Sequence, residues 1–207
     1  MSPQSDNSKA SRAANAGLHD LDIHRANEFS PEERKQLLAL AHEAILSVVE
    51  KREIALIAPC VRFATPRGAF TTLYLYNNLR GCVGYALPIA PLYRTIIETA
   101  RGAAFEDSRF LPVALAEAHE LEVSLSILSL LKAVRAQEVE IGTHGLLISQ
   151  HGRRGLLLPQ VPLEHGWDRN TFLEETCRKA GLPLDAWQSG AEIEVFTAEI
   201  FGDADLR

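Results

Sequence analysis

The chain has 207 residues, of which 46% are hydrophobic and 23% are charged, and these values exclude a wholly disordered chain. Its net charge of -6 argues against nucleic acid as the main partner, and it lacks the run of about 18 apolar residues that a membrane helix needs. Since the amino-terminal residues also lack the apolar stretch of a signal peptide, we expect a cytoplasmic protein without a membrane segment.

The first residues of the chain differ in composition from the rest. Residues 1–28 are rich in serine, alanine and asparagine and show no apolar period, so they are predicted to form a disordered tail. The ordered domain is predicted over residues 29–203. It begins with Ser30, Pro31 and Glu33, a capping pattern for a helix whose apolar positions continue to Val49.

A hairpin is predicted next along the chain. The run AFTTLYLY, residues 69–76, is rich in β-branched and aromatic residues and is followed by Asn77, Asn78 and the run LRGCVGY. Because both asparagines tolerate positive φ angles, we predict a two-residue turn at Asn77 and Asn78. In that register Leu73 lies opposite Cys82.

The remaining elements alternate between strands and helices. They are a helix over 91–105, a half-buried strand over 121–128, a hairpin of 145–149 and 155–161, a helix from Asp168 to about Ala180, and one closing strand over 191–201. Hairpins interleaved with helices favour an α+β fold built on a largely antiparallel sheet.

The strand that carries Cys82 holds the main candidates for chemistry. Side chains alternate along a strand, so Arg80, Cys82 and Gly84 share one face, where the arginine can favour a nucleophilic thiolate. Gly84 would leave space beside the sulfur, and Gly81 would let a ligand approach the backbone. Three roles stay open for Cys82: a buried core residue, a thiol that faces a ligand or partner, and a covalent nucleophile.

Other candidate site residues lie elsewhere in the sequence. His144, between two glycines near a strand start, is the candidate base, with a histidine bonded to local backbone as the alternative. Arg67 and Arg109 are candidates for an anionic ligand because guanidinium groups match carboxylates and phosphates, although a salt bridge or solvation also explains them. Gln160, between two prolines, could present its amide to a ligand or satisfy irregular backbone.

The cysteines indicate neither a disulfide framework nor a metal site. Cys60, Cys82 and Cys177 are odd in number and far apart, and no Cys-x-x-Cys spacing occurs. The sequence also contains no glycine-rich phosphate loop, no His-Glu-x-x-His and no Gly-x-Ser-x-Gly motif. We therefore expect free thiols and no metal, and the cofactor stays unknown.

Several motifs together resemble one known family. PRGAFTTL, LRGCVG, AAFEDSRF, LEVSLSILS, THGLLI, LLLPQVP and GWDRNTFLEETCRKAGL follow in the order found in the AMMECR family, whose prokaryotic members are called AmmeMemoRadiSam system protein A. The resemblance covers roughly residues 30 to 202. It differs at Val83, where the family has isoleucine, and at Ser108, where the family commonly has proline.

The resemblance implies an α+β fold whose sheet is flanked by helices, with a smaller second lobe, and an activity that is unsettled. It also implies that the protein works together with a Memo-type protein and a radical S-adenosylmethionine enzyme.

The main hypothesis is an accessory component that binds a partner protein or small substrate around the strand Leu79–Gly84. One alternative is an enzyme that uses Cys82, Arg80 and His144; another is RNA or nucleotide binding through arginines. The oligomeric state stays open.

Overall fold

The computed structural model describes residues 28–54 and 60–206. The predicted tail lies outside these residues except for Glu28. Contacts divide the described chain into two compact units, which we call the first unit (28–132 with 196–206) and the second unit (133–195). No helix in the described part is long and apolar enough to cross a membrane.

Five helices and eight strands form the main elements of the described residues. The helices are α1 (Pro31–Val49), α2 (Leu92–Phe105), α3 (Leu115–Ala118), α4 (Val161–His165) and α5 (Arg169–Lys179). The strands are β1 (Ala69–Leu75), β2 (Asn78–Tyr85), β3 (Leu121–Leu128), β4 (Lys132–Ala133), β5 (Gly145–Gln150), β6 (Arg153–Leu157), β7 (Glu192–Phe196) and β8 (Ala198–Gly202).

Helix α1 begins where the capping pattern predicted. The Ser30 hydroxyl accepts the Glu33 amide at 3.2 Å, and the Glu33 carboxylate accepts the Ser30 amide at 2.8 Å. Both bonds satisfy amides that the first helical turn leaves without partners. The helix then buries one apolar stripe, which includes Leu37, Ala41 and Ile45, in the core of the first unit.

The first unit contains a four-stranded sheet in the order β2-β1-β3-β8, with antiparallel neighbours throughout. This confirms the predicted α+β class with antiparallel pairing. One face of the sheet packs against α2, where the hydroxyls of Thr71 and Thr99 meet at 2.8 Å in the buried core. The alternation predicted for β3 is also confirmed, since Val123 and Leu125 are buried while Glu122 and Ser124 are half-buried.

The predicted hairpin exists, but its predicted turn and register are wrong. Tyr76 and Asn77 take the two positive φ angles, 49° and 61°, so the turn lies one residue earlier and Leu75 pairs with Asn78. A bulge after Leu73 then shifts the pairing once more, because an extra residue in one strand moves every side chain beyond it. Cys82 consequently pairs with Thr72, not with Leu73.

The second unit contains a sheet in the order β4-β7-β5-β6, and α5 packs against β5 and β6. The cap predicted for α5 is confirmed, because the Asp168 carboxylate accepts the Thr171 amide at 2.8 Å. Strand β6 ends at Leu157, short of the predicted end, since Pro159 has no N–H for a strand ladder and Pro162 suits the first turn of α4.

The closing strand predicted over 191–201 is two strands. β7 belongs to the second sheet and β8 to the first, and Thr197 separates them. The Thr197 amide donates to the Ser129 hydroxyl at 3.0 Å, and its carbonyl accepts the Ser129 amide at 2.9 Å. The alternation in the sequence is therefore genuine strand alternation, but hydrophobic periodicity carries no information about which sheet a strand joins.

Candidate functional site

Cys82 lies on the face of the first sheet that is opposite α2. A row of paired residues crosses this face from Cys82 on β2 through Thr72 and Ser124 to Gly202 on β8. We call these four residues the Cys82 row. The Thr72 hydroxyl donates to the Cys82 sulfur at 3.4 Å, and the cysteine is half-buried. The thiol therefore lies opposite a threonine rather than opposite Leu73, as the predicted register had it.

A tyrosine and a carboxylate lie beside this row on the same face. Tyr74 is two residues from Thr72 along β1 and pairs with Glu122 on β3. Burial raises the pKa of the Tyr74 phenol, and negative charge at Cys82 raises it further. The phenol therefore stays protonated at neutral pH and can donate a hydrogen bond to a ligand at the thiol.

The backbone of Cys82 is held from outside the sheet. β2 is an edge strand, and the Cys82 amide donates to the Asp107 carboxylate at 2.9 Å. The Arg109 guanidinium donates to the same carboxylate at 2.9 and 2.7 Å, and these hydrogen bonds chiefly hold the Asp107 pKa well below its usual range. Asp107 thus occupies one of the edge amides that another strand could otherwise pair with.

Arg80 points to a carboxylate rather than to the thiol. Its guanidinium donates to Glu117 at 3.2 and 3.1 Å, lowers the Glu117 pKa, and lies 6.0 Å from the centre of the Phe110 ring. The Arg109 guanidinium interacts electrostatically with Cys82. Its pKa is raised chiefly by hydrogen bonds with Asp107 and, more weakly, by negative charge at Cys82.

The two glycines of the motif serve packing. A Cβ on Gly81 would lie 2.0 Å from the carbonyl oxygen of Ala103, so the glycine lets β2 approach the α2 backbone. A Cβ on Gly84 would lie 2.1 Å from the Phe70 ring, which occupies the space that we expected beside the sulfur. Both glycines therefore support the strand next to Cys82, and the predicted openings for a ligand are filled by the protein itself.

Three other predicted residues make their hydrogen bonds outside the Cys82 row. Arg67 is buried in the first unit, where it pairs with Glu28 and donates to the Leu128 carbonyl at 3.1 Å. His144 belongs to the second unit, and its Nδ1 accepts the amide of Glu140 at 3.1 Å.

Gln160, the last of these residues, also belongs to the second unit. It precedes α4, and its backbone carbonyl accepts the Glu164 amide at 3.0 Å. Of the eight residues predicted for the site, the structure therefore brings Arg80, Gly81, Cys82, Gly84 and Arg109 together. Arg67 is paired with Glu28 in the first unit, whereas His144 and Gln160 belong to the second unit.

Sequence reasoning missed several residues around the thiol. Thr72 and Tyr74 could have been found from strand alternation only if both the turn and the bulge after Leu73 had been positioned correctly. Asp107 and Glu117 gave no local signal, because they contact β2 from 25 and 37 residues further along the chain. Within the described residues, no group of three or more histidine, cysteine, aspartate or glutamate side chains is arranged to hold a metal ion.

Proteins of several other organisms are similar to this chain in sequence, and one of them is similar in structure. The family model described as AMMECR1 matches residues 38–201. A protein of Methanopyrus kandleri is 40% identical over 186 residues, which cover 84% of this chain and 90% of that protein. A protein of Methanocaldococcus jannaschii is 44% identical over 155 residues, covering 70% and 77%. The crystal structure of an uncharacterised Pyrococcus horikoshii protein matches with a TM-score of 0.66 and 38% identity, covering 84% of this chain and 93% of that one.

Proposed function

This chain belongs to the AMMECR1 family, and from that premise we propose that it is an accessory component that binds a partner protein or small substrate around the strand Leu79–Gly84. In this proposal it acts in the cytoplasm together with a Memo-type protein and a radical S-adenosylmethionine enzyme. The Cys82 thiol and the Thr72 hydroxyl contact what is bound, and Arg109 attracts an anionic group on it.

One observation carries this proposal. The other residues of the motif have structural partners: Arg80 is held by Glu117, and Gly81 lies against Ala103. Across the described residues, the sulfur of Cys82 has Thr72 as its one hydrogen-bond partner, and a threonine hydroxyl is not a general base. A thiol presented without a base favours binding over nucleophilic catalysis.

Co-purification tests the proposal directly. We expect the tagged chain to retain the Memo-type protein or the radical enzyme, and we expect Cys82→Ser together with Thr72→Val to reduce the retained amount at least about tenfold. Cys60→Ser is the matched control, because Cys60 is an exposed thiol outside the Cys82 row. Equal retention by the double variant and the wild type would show that the partner binds elsewhere.

A second candidate, a cysteine-dependent enzyme, is favoured by the hydroxyl that donates to the Cys82 sulfur. Here Cys82 is the nucleophile, and Arg109 replaces Arg80 as the nearby cation: Arg109 pairs with Asp107, and its pKa is raised chiefly by that carboxylate and more weakly by negative charge at Cys82. His144, the base predicted from the sequence, belongs to the second unit, and its Nδ1 accepts the Glu140 amide. RNA binding gains no support from Arg67, which is buried and paired.

Alkylation of the folded protein separates the two candidates. If Cys82 is a nucleophile, iodoacetamide at pH 7 should modify it faster than the exposed Cys60, because a site built for thiol chemistry favours the thiolate. Cys177 is the internal control: it is buried, and burial raises the pKa of its thiol, so it should react only on unfolding. Modification of Cys82 only after denaturation would remove the enzymatic candidate.

A further inference from the structure

The second sheet ends at β6, and the outer edge of this strand is open among the described residues. β6 is the last strand in the order β4-β7-β5-β6. The two residues of its turn take positive φ angles of 52° and 77°, and Gln150 and Arg153 close the hairpin. In such a hairpin the closing pair is hydrogen-bonded, and bonded pairs alternate with non-bonded pairs. The backbone N–H and C=O groups of Arg154 and Leu156 therefore point away from β5.

These outward backbone groups have no hydrogen-bond partner in residues 28–54 and 60–206. The edge of the first sheet is different, because the Asp107 carboxylate accepts the outward amide of Cys82. Helix α5 lies against a face of β6 rather than against its edge, since a Cβ on Gly155 would lie 2.6 Å from the Thr176 carbonyl oxygen. Two N–H and two C=O groups are therefore available, within the described chain, to pair with one more strand.

The edge carries positive charge that no described carboxylate pairs with. Arg153 and Arg154 are both exposed. The Arg153 guanidinium donates to the neutral Gly181 carbonyl at 2.7 Å, and the Arg154 side chain makes no hydrogen bond or ion pair with the described residues. Ser149, which pairs with Arg154, donates its hydroxyl to Glu192 at 3.4 Å, but Glu192 lies on β7, two strands in from the edge. Arg154 is therefore an unpaired cation beside unpaired backbone groups.

The side chains of β6 define what an added strand must carry. Gly155 faces α5, so Arg154 and Leu156 share the opposite face, where Leu156 is half-buried and pairs with Leu147. On an added antiparallel strand, the residues opposite these two are also two positions apart and share that face. An acidic residue fits opposite Arg154, and an apolar residue fits opposite Leu156. A second copy of β6 is disfavoured, because it would bring the same arginines to the contact.

We propose that the outer edge of β6 binds an extended segment of another protein as an added antiparallel strand, with an acidic residue opposite Arg154 and an apolar residue opposite Leu156. Main-chain hydrogen bonds supply affinity in this kind of contact, and the side chains select the sequence. The contact goes beyond the proposed function, since it belongs to the second unit and uses none of the residues around Cys82.

A synthetic peptide with blocked ends, Thr-Val-Thr-Glu-Glu-Thr, tests this contact by NMR titration of the isotope-labelled full chain. Its valine would lie opposite Leu156 and its first glutamate opposite Arg154. We expect saturation with the peptide to slow hydrogen exchange of the Arg154 and Leu156 amides at least about tenfold, and we expect Arg154→Glu to raise Kd at least about tenfold. Lys35→Glu is the matched control, because it makes the same charge change at an exposed residue of α1. It should leave Kd unchanged.

A second peptide separates backbone pairing from attraction between charges. N-methylation of the valine and the first glutamate removes the N–H groups that would bond to β6, so this peptide should bind at least about tenfold more weakly. Equal binding of the two peptides would show that charge alone holds them and that no strand is added. If the unmodified peptide leaves both amides unprotected, the proposal is wrong. If sedimentation shows a dimer of this chain that Leu156→Pro abolishes by removing one outward N–H, the edge of β6 pairs with itself, and its assignment to another protein is wrong.

Discussion

Replacing Gly81 with alanine is expected to destabilise the protein by about 3 kcal/mol or more. The new Cβ would lie 2.0 Å from the backbone carbonyl oxygen of Ala103, so either β2 or α2 must move as a whole. Moving the strand displaces the neighbouring Cys82 and its amide bond to Asp107. Urea denaturation measures the loss in the free energy of unfolding.

Two variants control this result. Gly102→Ala adds a methyl group at the same helix–strand contact, but that Cβ meets the Val83 side chain at 2.9 Å, which can adjust, and alanine favours the helix. It should therefore cost clearly less than Gly81→Ala. Ala103→Gly should not rescue Gly81→Ala, since the clash is with a backbone atom that glycine keeps. A Gly81→Ala protein with wild-type stability would refute the close approach of β2 to α2.

Replacing Asp107 with asparagine is expected to cost about 2–3 kcal/mol of stability at pH 7. The almost buried carboxylate accepts the Cys82 amide and two guanidinium N–H groups of Arg109, and the amide group cannot reproduce all of these bonds. Urea unfolding at pH 7, 5, 4 and 3 provides the comparison.

The stability that Asp107→Asn loses relative to the wild type should become smaller as the pH falls. The Asp107 pKa in the folded protein lies below its ordinary value of 3.8, mainly because of the hydrogen bonds from Arg109. The stability that the charged Asp107 carboxylate contributes to the folded protein is therefore fully present above about pH 4 and is lost as the pH falls further. The wild type and Asp107→Asn should converge in acid. Asp168→Asn is the comparison variant: the pKa of Asp168 is also lowered, chiefly by the Thr171 amide, but Asp168 is an exposed helix cap and asparagine caps nearly as well, so this variant should lose much less stability at every pH. If the difference in the free energy of unfolding between the wild type and Asp107→Asn were the same at every pH, the charge of Asp107 would not be what stabilises the fold.

The hairpin shows why the site was only partly predictable. The composition of β1 and β2 indicated two strands and a turn, but the register depended on Tyr76 taking a positive φ and on a bulge after Leu73. Tyrosine rarely adopts that conformation, so local preference favoured the two asparagines instead. Because a shift of one residue exchanges the two faces of a strand, this error placed Cys82 opposite Leu73 instead of Thr72.

The direction of Arg80 shows a different limit. From the sequence, Arg80 and Cys82 are two residues apart on one strand, and that spacing predicts side chains on one face. In the structure Arg80 lies at the bulge, and its guanidinium pairs with Glu117, which is 37 residues away. No local pattern identifies such a partner, because an ion pair between distant segments forms only once the fold has brought them together.

The sequence by itself determined the elements whose causes are local. Ser30 and Asp168 start their helices through hydroxyl and carboxylate caps within three residues, and the alternation of β3 separates its buried and polar faces. The sequence also contained the ordered motifs by which the chain resembles its family. Only the tertiary structure decided what surrounds the Cys82 thiol. Register, bulge and the long-range bond of Asp107 depend on packing between segments that are distant in the chain, and packing energies do not appear in any short window of residues.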